Sequence, residues 1–141
     1  MVNQIESHLY LQQNDLINWC QKNNIIIQAY SPLGGNYDYG SSVKDKKFEH
    51  PLKNEKITEL AKKKNCSNSD IIFAWHKQRG NNYCIVSKSE NDERLKRALD
   101  IMEGNVEINL TGEEMNLLSK EDRNLRLNDA AKVFWEIPSF E

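Results

Sequence analysis

Three short stretches carry side chains whose types and spacing suit a phosphorylated or amide-bearing ligand. Ser87-Lys88-Ser89 is followed by Arg94, five residues beyond Ser89. Asn91 would cap a helix there, and the free backbone N–H groups and dipole of a helix start favour an anion. Lys88 adds a point charge and Arg94 a planar fork, a set that fits a terminal phosphate monoester. Glu90, Asp92 and Glu93 stand in the same stretch and could satisfy the dipole themselves, so a solvated helix start competes with the ligand reading. In Tyr30-Ser31-Pro32-Leu33-Gly34-Gly35, Ser31 can turn its hydroxyl or amide to a phosphate, and the glycines let backbone approach a ligand. An ordinary Ser-Pro turn is the alternative there. Asn3 and Gln4 offer amide donors and acceptors that could hold a carboxamide ring substituent, or could simply end a strand.

Other chemistries find little support. There is no GxGxxG, no GxxxxGK[ST] and no GxSxG elbow. Glu6 and His8 do not make an HExxH helix, and His50 and His76 have no partner at ligand spacing, so no metal site is expected. Cys20, Cys66 and Cys84 share no CxxC spacing, which suits reduced thiols in a cytosolic compartment. With 19 basic and 21 acidic residues the net charge is −2, so the chain lacks a field that would hold nucleic acid. Ile25-Ile26-Ile27 is an unbroken apolar run and Ile71-Ile72-Phe73-Ala74-Trp75 the longest, both far short of a membrane span. The N-terminus has no basic region followed by an apolar stretch, so no secretory signal is expected. Mean hydropathy is −0.76. Leu, Ile, Val and Phe nonetheless make up about 24% of the chain, enough for a core.

The candidate residues need strands and helices to position them. Val2–Ile5 reads as a strand, and Asn14 as the cap of a helix to about Asn23 with Leu16, Ile17, Trp19 and Cys20 on one face. Ile25–Tyr30 is a second strand, apolar enough to suggest cover on both faces. Residues 31–53 form a long loop, a length that is often functional. Helices follow from about Asn54 to Lys64, with Ile57, Leu60 and Ala61 inward, and from the Ser67-x-x-Asp70 capping pattern to Gly80. Trp19 and Trp75 stand at core spacing. Tyr83–Ser87 is the third strand. Asn91 caps a helix to about Glu103, and the Thr111-x-x-Glu114 box opens a last helix through Leu118. Residues 121–141 show no periodicity and form an irregular tail. Alternation of strand and helix argues for an α/β fold with parallel strands and right-handed crossovers. Three strand–helix units are three-eighths of a (β/α)8 TIM barrel, which typically takes about 250 residues.

The order VNQIESHLYLQQ, IIIQAYSPLGG, WHKQRG, IVSKSENDERL, EDRNLRLND resembles the second half of an aldo-keto reductase, including fungal-type members that reduce aldehydes and ketones. The resemblance covers Val2 to about Asp129. It implies a partial (β/α)8 barrel: the last three strand–helix units plus the C-terminal tail, in one domain over 1–141. It also implies an NADP(H) site. Gln4, with Asn3 beside it, would hold the nicotinamide carboxamide, Tyr30 would stack on the nicotinamide ring, and Ser31 and Leu33 would contact the pyrophosphate. Lys88, Ser89 and Arg94 would bind the adenosine 2′-phosphate. The 31–53 loop would cover the cofactor, and Trp135 in the tail would shape a pocket for a small carbonyl substrate.

The sequence also departs from the family pattern. The family's catalytic Asp, Tyr, Lys and His come from the first half of its barrel and have no counterpart here. The usual Pro before the lysine is Ser87, and the Glu-Asn pair that commonly meets adenine is Arg97-Ala98. The expectation is therefore a cofactor-binding half that does not catalyse alone and self-associates through open strand edges. The alternatives are a non-catalytic nucleotide-binding module and a decayed, truncated product.

Overall fold

The computed structural model describes residues 1–35 and 49–128. Its elements are β1 (Val2–Glu6), α1 (Asn14–Lys22), β2 (Ile26–Tyr30), a 3-10 turn (Pro51–Lys53), α2 (Glu55–Lys64), α3 (Asn68–Lys77), β3 (Tyr83–Val86), α4 (Asp92–Glu103) and α5 (Gly112–Ser119). The strands form one sheet in the order β1-β2-β3. Both pairings are parallel, as the alternation of elements requires. Segments 36–48 and 129–141 lie outside the described residues. With them lie most of the expected covering loop, much of the tail, and Trp135.

Strand alternation sorts the sheet into two faces. Ile5, Ile27, Ala29 and Tyr83 point to one face and pack with Ile17 and Cys20 of α1. The opposite face carries rows set by the register: Val2 beside Ile26, Gln4 beside Gln28 and Cys84, Glu6 beside Tyr30 and Val86. The expectation that β2 is covered on both faces is not met among the described residues. Ile27 and Ala29 are fully buried, whereas Ile26 is 42% exposed. The helices cover one side only, so β2 is apolar in sequence but half-open in structure.

Local signals explain most helix starts. The Asn54 side chain accepts from the Lys56 and Ile57 amides at the head of α2. Ser67 and Asp70 form a reciprocal capping box on α3, as do Thr111 and Glu114 on α5. Asn91 caps α4 through the Arg94 amide. Two readings need correction. The N-cap of α1 is Gln13, at φ 51° and with no side-chain cap bond, not Asn14. Asn14 is instead drawn to Arg79, whose guanidinium donates to its Oδ1 at 2.7 Å. Trp19 is not a packing residue, being 58% exposed with Leu16 at the edge of the same face. Ile17 and Cys20 occupy the arc that meets the sheet, and Leu16 and Trp19 fall to its flank. Trp75 is buried as expected, in a core with Leu9, Tyr10, Ile57, Leu60, Ile71 and Leu118 among others.

Residues 121–128 contain no helix or strand, yet they are firmly held. The Arg123 and Leu125 amides donate to the Tyr10 carbonyl at 3.1 and 2.9 Å. Leu127 is buried. Its amide donates to Glu6 Oε1 at 2.9 Å.

Candidate functional site

The site lies just beyond the C-terminal ends of β2 and β3. After Tyr30 the chain enters a turn in which Ser31 has φ 52° and Gly34 and Gly35 have φ 98° and 71°. A Cβ on Gly34 would sit 2.7 Å from Pro51 Cγ, so only glycine lets the 3-10 turn close against this segment.

Two histidines hold the turn by its carbonyls. His50 Nδ1 accepts from the Leu52 amide at 3.1 Å, which leaves the proton on Nε2 to donate to the Gly35 carbonyl at 3.1 Å. His76 Nε2 donates to the Pro32 carbonyl at 3.2 Å, and its Nδ1 accepts from the Tyr83 hydroxyl at 3.0 Å. Burial and the nearby Arg79 charge push His76 down to about 3 while the Pro32 bond opposes this, so the ring is neutral. Arg79 completes the network, donating to Ser7 Oγ at 2.9 Å and lying over the Trp75 ring. With the Pro32 and Gly35 carbonyls turned to the histidines, the Leu33 and Gly35 amides have no acceptor among the described residues.

A cavity of about 640 Å³ runs from this turn to the segment after β3, lined by Tyr30, Ser31, Leu33, Gly35, His50, Lys88 and Ser89 among others. A second cavity of about 450 Å³ shares Leu33, Ser87, Lys88 and Ser89 with it and continues to Phe73, Asp70, Arg94 and Arg97. The two form one groove along the ends of β2 and β3 and the N-termini of α3 and α4. The structure thus brings Tyr30, Ser31, Leu33, Lys88, Ser89 and Arg94 together.

Gln4 stands on the open sheet face, one row below Tyr30, and its amide bonds Gln28. Asn3 does not join it. Alternation turns Asn3 to the helix-covered face, where its Nδ2 meets Cys20 Sγ at 3.7 Å. The expectation that Asn3 and Gln4 act side by side is corrected by the strand's own period of two.

Several residues of the site were not singled out from sequence as site residues. Asn128 donates from Nδ2 to both Glu6 Oε1 at 3.1 Å and Ser31 Oγ at 3.0 Å, tying the C-terminal stretch to the turn. Asp70 and Arg97 pair across the second cavity at 3.0 Å. No local sequence signal announces these contacts, although Arg97 was conspicuous as a departure from the family pattern. Burial and then the Asp70 charge push the Cys66 thiol up, which disfavours its thiolate. Among the described residues there is no group of three His, Cys, Asp or Glu side chains that could hold a metal, and no helix long and apolar enough to cross a membrane.

Comparison with known proteins adds the following. The family model described as "Aldo/keto reductase family" matches residues 1–122. The chain is 35% identical over 137 residues to Aldo/keto reductase slr0942 of Synechocystis, covering 97% of this chain and 39% of that protein. It is 36% identical over 126 residues to glycerol 2-dehydrogenase (NADP(+)) of Saccharomyces cerevisiae, covering 89% of this chain and 35% of that protein. It is 34% identical over 135 residues to the probable NAD(P)H-dependent D-xylose reductase xyl1 of Aspergillus clavatus, covering 92% and 38%. The chain therefore spans less than two fifths of the length of these curated relatives.

Proposed function

The chain belongs to the aldo/keto reductase family, and from that premise we propose that it is the NADP(H)-holding sector of an oxidoreductase acting on small carbonyl compounds. In this reading its three strand–helix units are the last three of a (β/α)8 barrel. The observation that carries the proposal is the continuous groove from Tyr30 through Ser31 and Gly35 to Lys88, Ser89 and Arg94.

The residues fit the cofactor in chemical order. Tyr30 offers a ring face for the nicotinamide, and Gln4, on the same sheet face, an amide for its carboxamide. The Leu33 and Gly35 amides and the Ser31 hydroxyl suit a pyrophosphate. Lys88 and Arg94 supply two cations, and α4 its N-terminal amides, for a 2′-phosphate. When bound, NADPH supplies the hydride that reduces a carbonyl carbon. The chain's own residues bind and orient the cofactor. A proton donor for the developing alkoxide is not assigned among them, and its lack would slow the reaction by about 10²–10⁴-fold. A reducing, cytoplasmic setting suits the three free cysteines.

Two measurements test this reading. Lys88→Ala should weaken NADPH binding by about ten- to a hundredfold, the worth of one charge-assisted contact of roughly 1.5–3 kcal/mol, and leave NADH binding unchanged. Titration of both cofactors by fluorescence reads the split, and equal loss for the two removes the 2′-phosphate assignment. The 141-residue chain alone should also self-associate. Among the described residues the outer edges of β1 and β3 pair with no strand, and Val2, Ile26, Val86, Trp19 and Leu99 are all exposed. Sedimentation should show concentration-dependent association, and a monomer at all concentrations would refute it.

A further inference from the structure

We propose that Asn128 is a positioning residue: it holds the Ser31 hydroxyl as a one-way donor to an anion in the groove, and so couples cofactor binding to the anchorage of residues 121–128. This inference rests on the NADP(H) reading above and adds to it a group that orients one of its contacts from a distance.

Glu6 sets the direction of the Asn128 carboxamide. The Glu6 side chain is fully buried, and its contacts with His8 and two backbone amides keep it ionised. An ionised carboxylate only accepts hydrogen bonds. Asn128 Nδ2 donates to Glu6 Oε1 at 3.1 Å. With the amide turned over, its oxygen would face a carboxylate oxygen with no proton between them. Nδ2 therefore stays on this side, and its second N–H goes to Ser31 Oγ at 3.0 Å. Ser31 Oγ is the acceptor in that bond, so its own proton must point elsewhere. Among the described residues that proton has no acceptor, and Ser31 lines the 640 Å³ cavity. The Leu33 and Gly35 amides, also without an acceptor there, belong to the same wall. The Gly34 amide donates to the Ser31 carbonyl at 2.8 Å and fixes the serine in its turn.

Bracing alone does not account for the carboxamide. The Leu127 and Asn128 backbone amides already tie this stretch to Glu6 at 2.9 and 3.0 Å. What the bond to Ser31 adds is the direction of a hydroxyl. A free serine hydroxyl turns among staggered positions, and some of them aim a lone pair at a phosphate oxygen. Because such coupling is reciprocal, an anion that takes the Ser31 proton also steadies Asn128.

The test is a double-mutant cycle on the full chain, read by calorimetric titration with NADP⁺. Asn128→Ala should weaken binding about three- to tenfold, the scale of one hydrogen bond and a freed rotor. In a Ser31→Ala background the same substitution should change binding no further. Equal losses in the two backgrounds would mean that Asn128 only braces the C-terminal stretch, and would overturn the inference. A second measurement uses no Asn128 variant. Saturating NADP⁺ should slow hydrogen exchange at the Leu127 and Asn128 amides in the wild type, and do so less in Ser31→Ala. The same slowing in both proteins also overturns the inference and leaves NADP(H) binding standing. Absence of any NADP⁺ binding by the wild type removes the reading on which it rests.

Discussion

Glu6→Ala is expected to lower the stability of the protein by about 3–5 kcal/mol, the scale of removing one partner from a buried ionic cluster. The Glu6 side chain is fully buried. It accepts from His8 Nε2 at 3.1 Å, from the Leu127 amide at 2.9 Å, and from the Asn128 amide and side chain at 3.0 and 3.1 Å. Arg126 approaches its other oxygen at 3.9 Å. Burial works to raise the Glu6 pKa, but the His8 contact and the two backbone amides outweigh it and hold the carboxyl below its ordinary value. The substitution strands all those donors in a dry site, and each unmatched buried donor costs about 1–3 kcal/mol. Denaturant titration reads the loss. Hydrogen exchange should show the Leu127 and Asn128 amides opening before the rest. A loss below about 1 kcal/mol would mean that water replaces the carboxylate and that the cluster is not dry.

The second large effect is on pH. Stability should fall by roughly 1.4 kcal/mol per unit as pH drops from 6.5 toward 5, close to the full slope for one proton. In the unfolded chain His76 takes up a proton near 6.5. In the folded protein burial and Arg79 keep it neutral down to about 3. The unfolded state thus binds the extra proton across that whole window, and acid favours it. Depressed carboxylates such as Glu6 and Glu121 add their losses only lower, as pH falls through and below 4.5. Urea midpoints at pH 7, 6 and 5 check this. His76→Gln, which cannot titrate, should flatten the profile. If the wild-type profile is itself flat over that window, the ring is not held neutral.

Both effects depend on contacts that the sequence does not advertise. Capping is local, so the Ser67–Asp70 and Thr111–Glu114 boxes could be read directly and are present. Parallel strands followed from the alternation of elements. Asn14 has the residue type of a cap for α1, but a distant arginine, Arg79, claims its side chain and Gln13 stands at the cap. Periodicity correctly grouped Leu16, Ile17, Trp19 and Cys20, but could not say that only Ile17 and Cys20 meet the sheet. The candidate site divides in the same way. Ser31, Lys88, Ser89 and Arg94 lie close to strand ends and helix starts, where local rules place them. The two-residue period of β1 turns Asn3 to the helix-covered face, away from its neighbour Gln4. Asn128 and the Asp70–Arg97 pair join elements far apart in sequence, and only packing brings them together.

The Glu6–Asn128 bond closes 122 residues of chain. Loop-closure entropy grows slowly with length, so the bond is affordable at equilibrium. Its cost is in time. During synthesis β1 emerges well before Leu127 and Asn128, which follow it by some 120 residues at about 5–20 residues per second. For several seconds the carboxylate that ends β1 has no Leu127 or Asn128 to meet, and the strand edge beside it stays wet and open. The sheet of a nascent chain can therefore be sealed at this corner only after residue 128 is free of the ribosome, which makes the bond a late checkpoint of folding as well as a brace of the finished site.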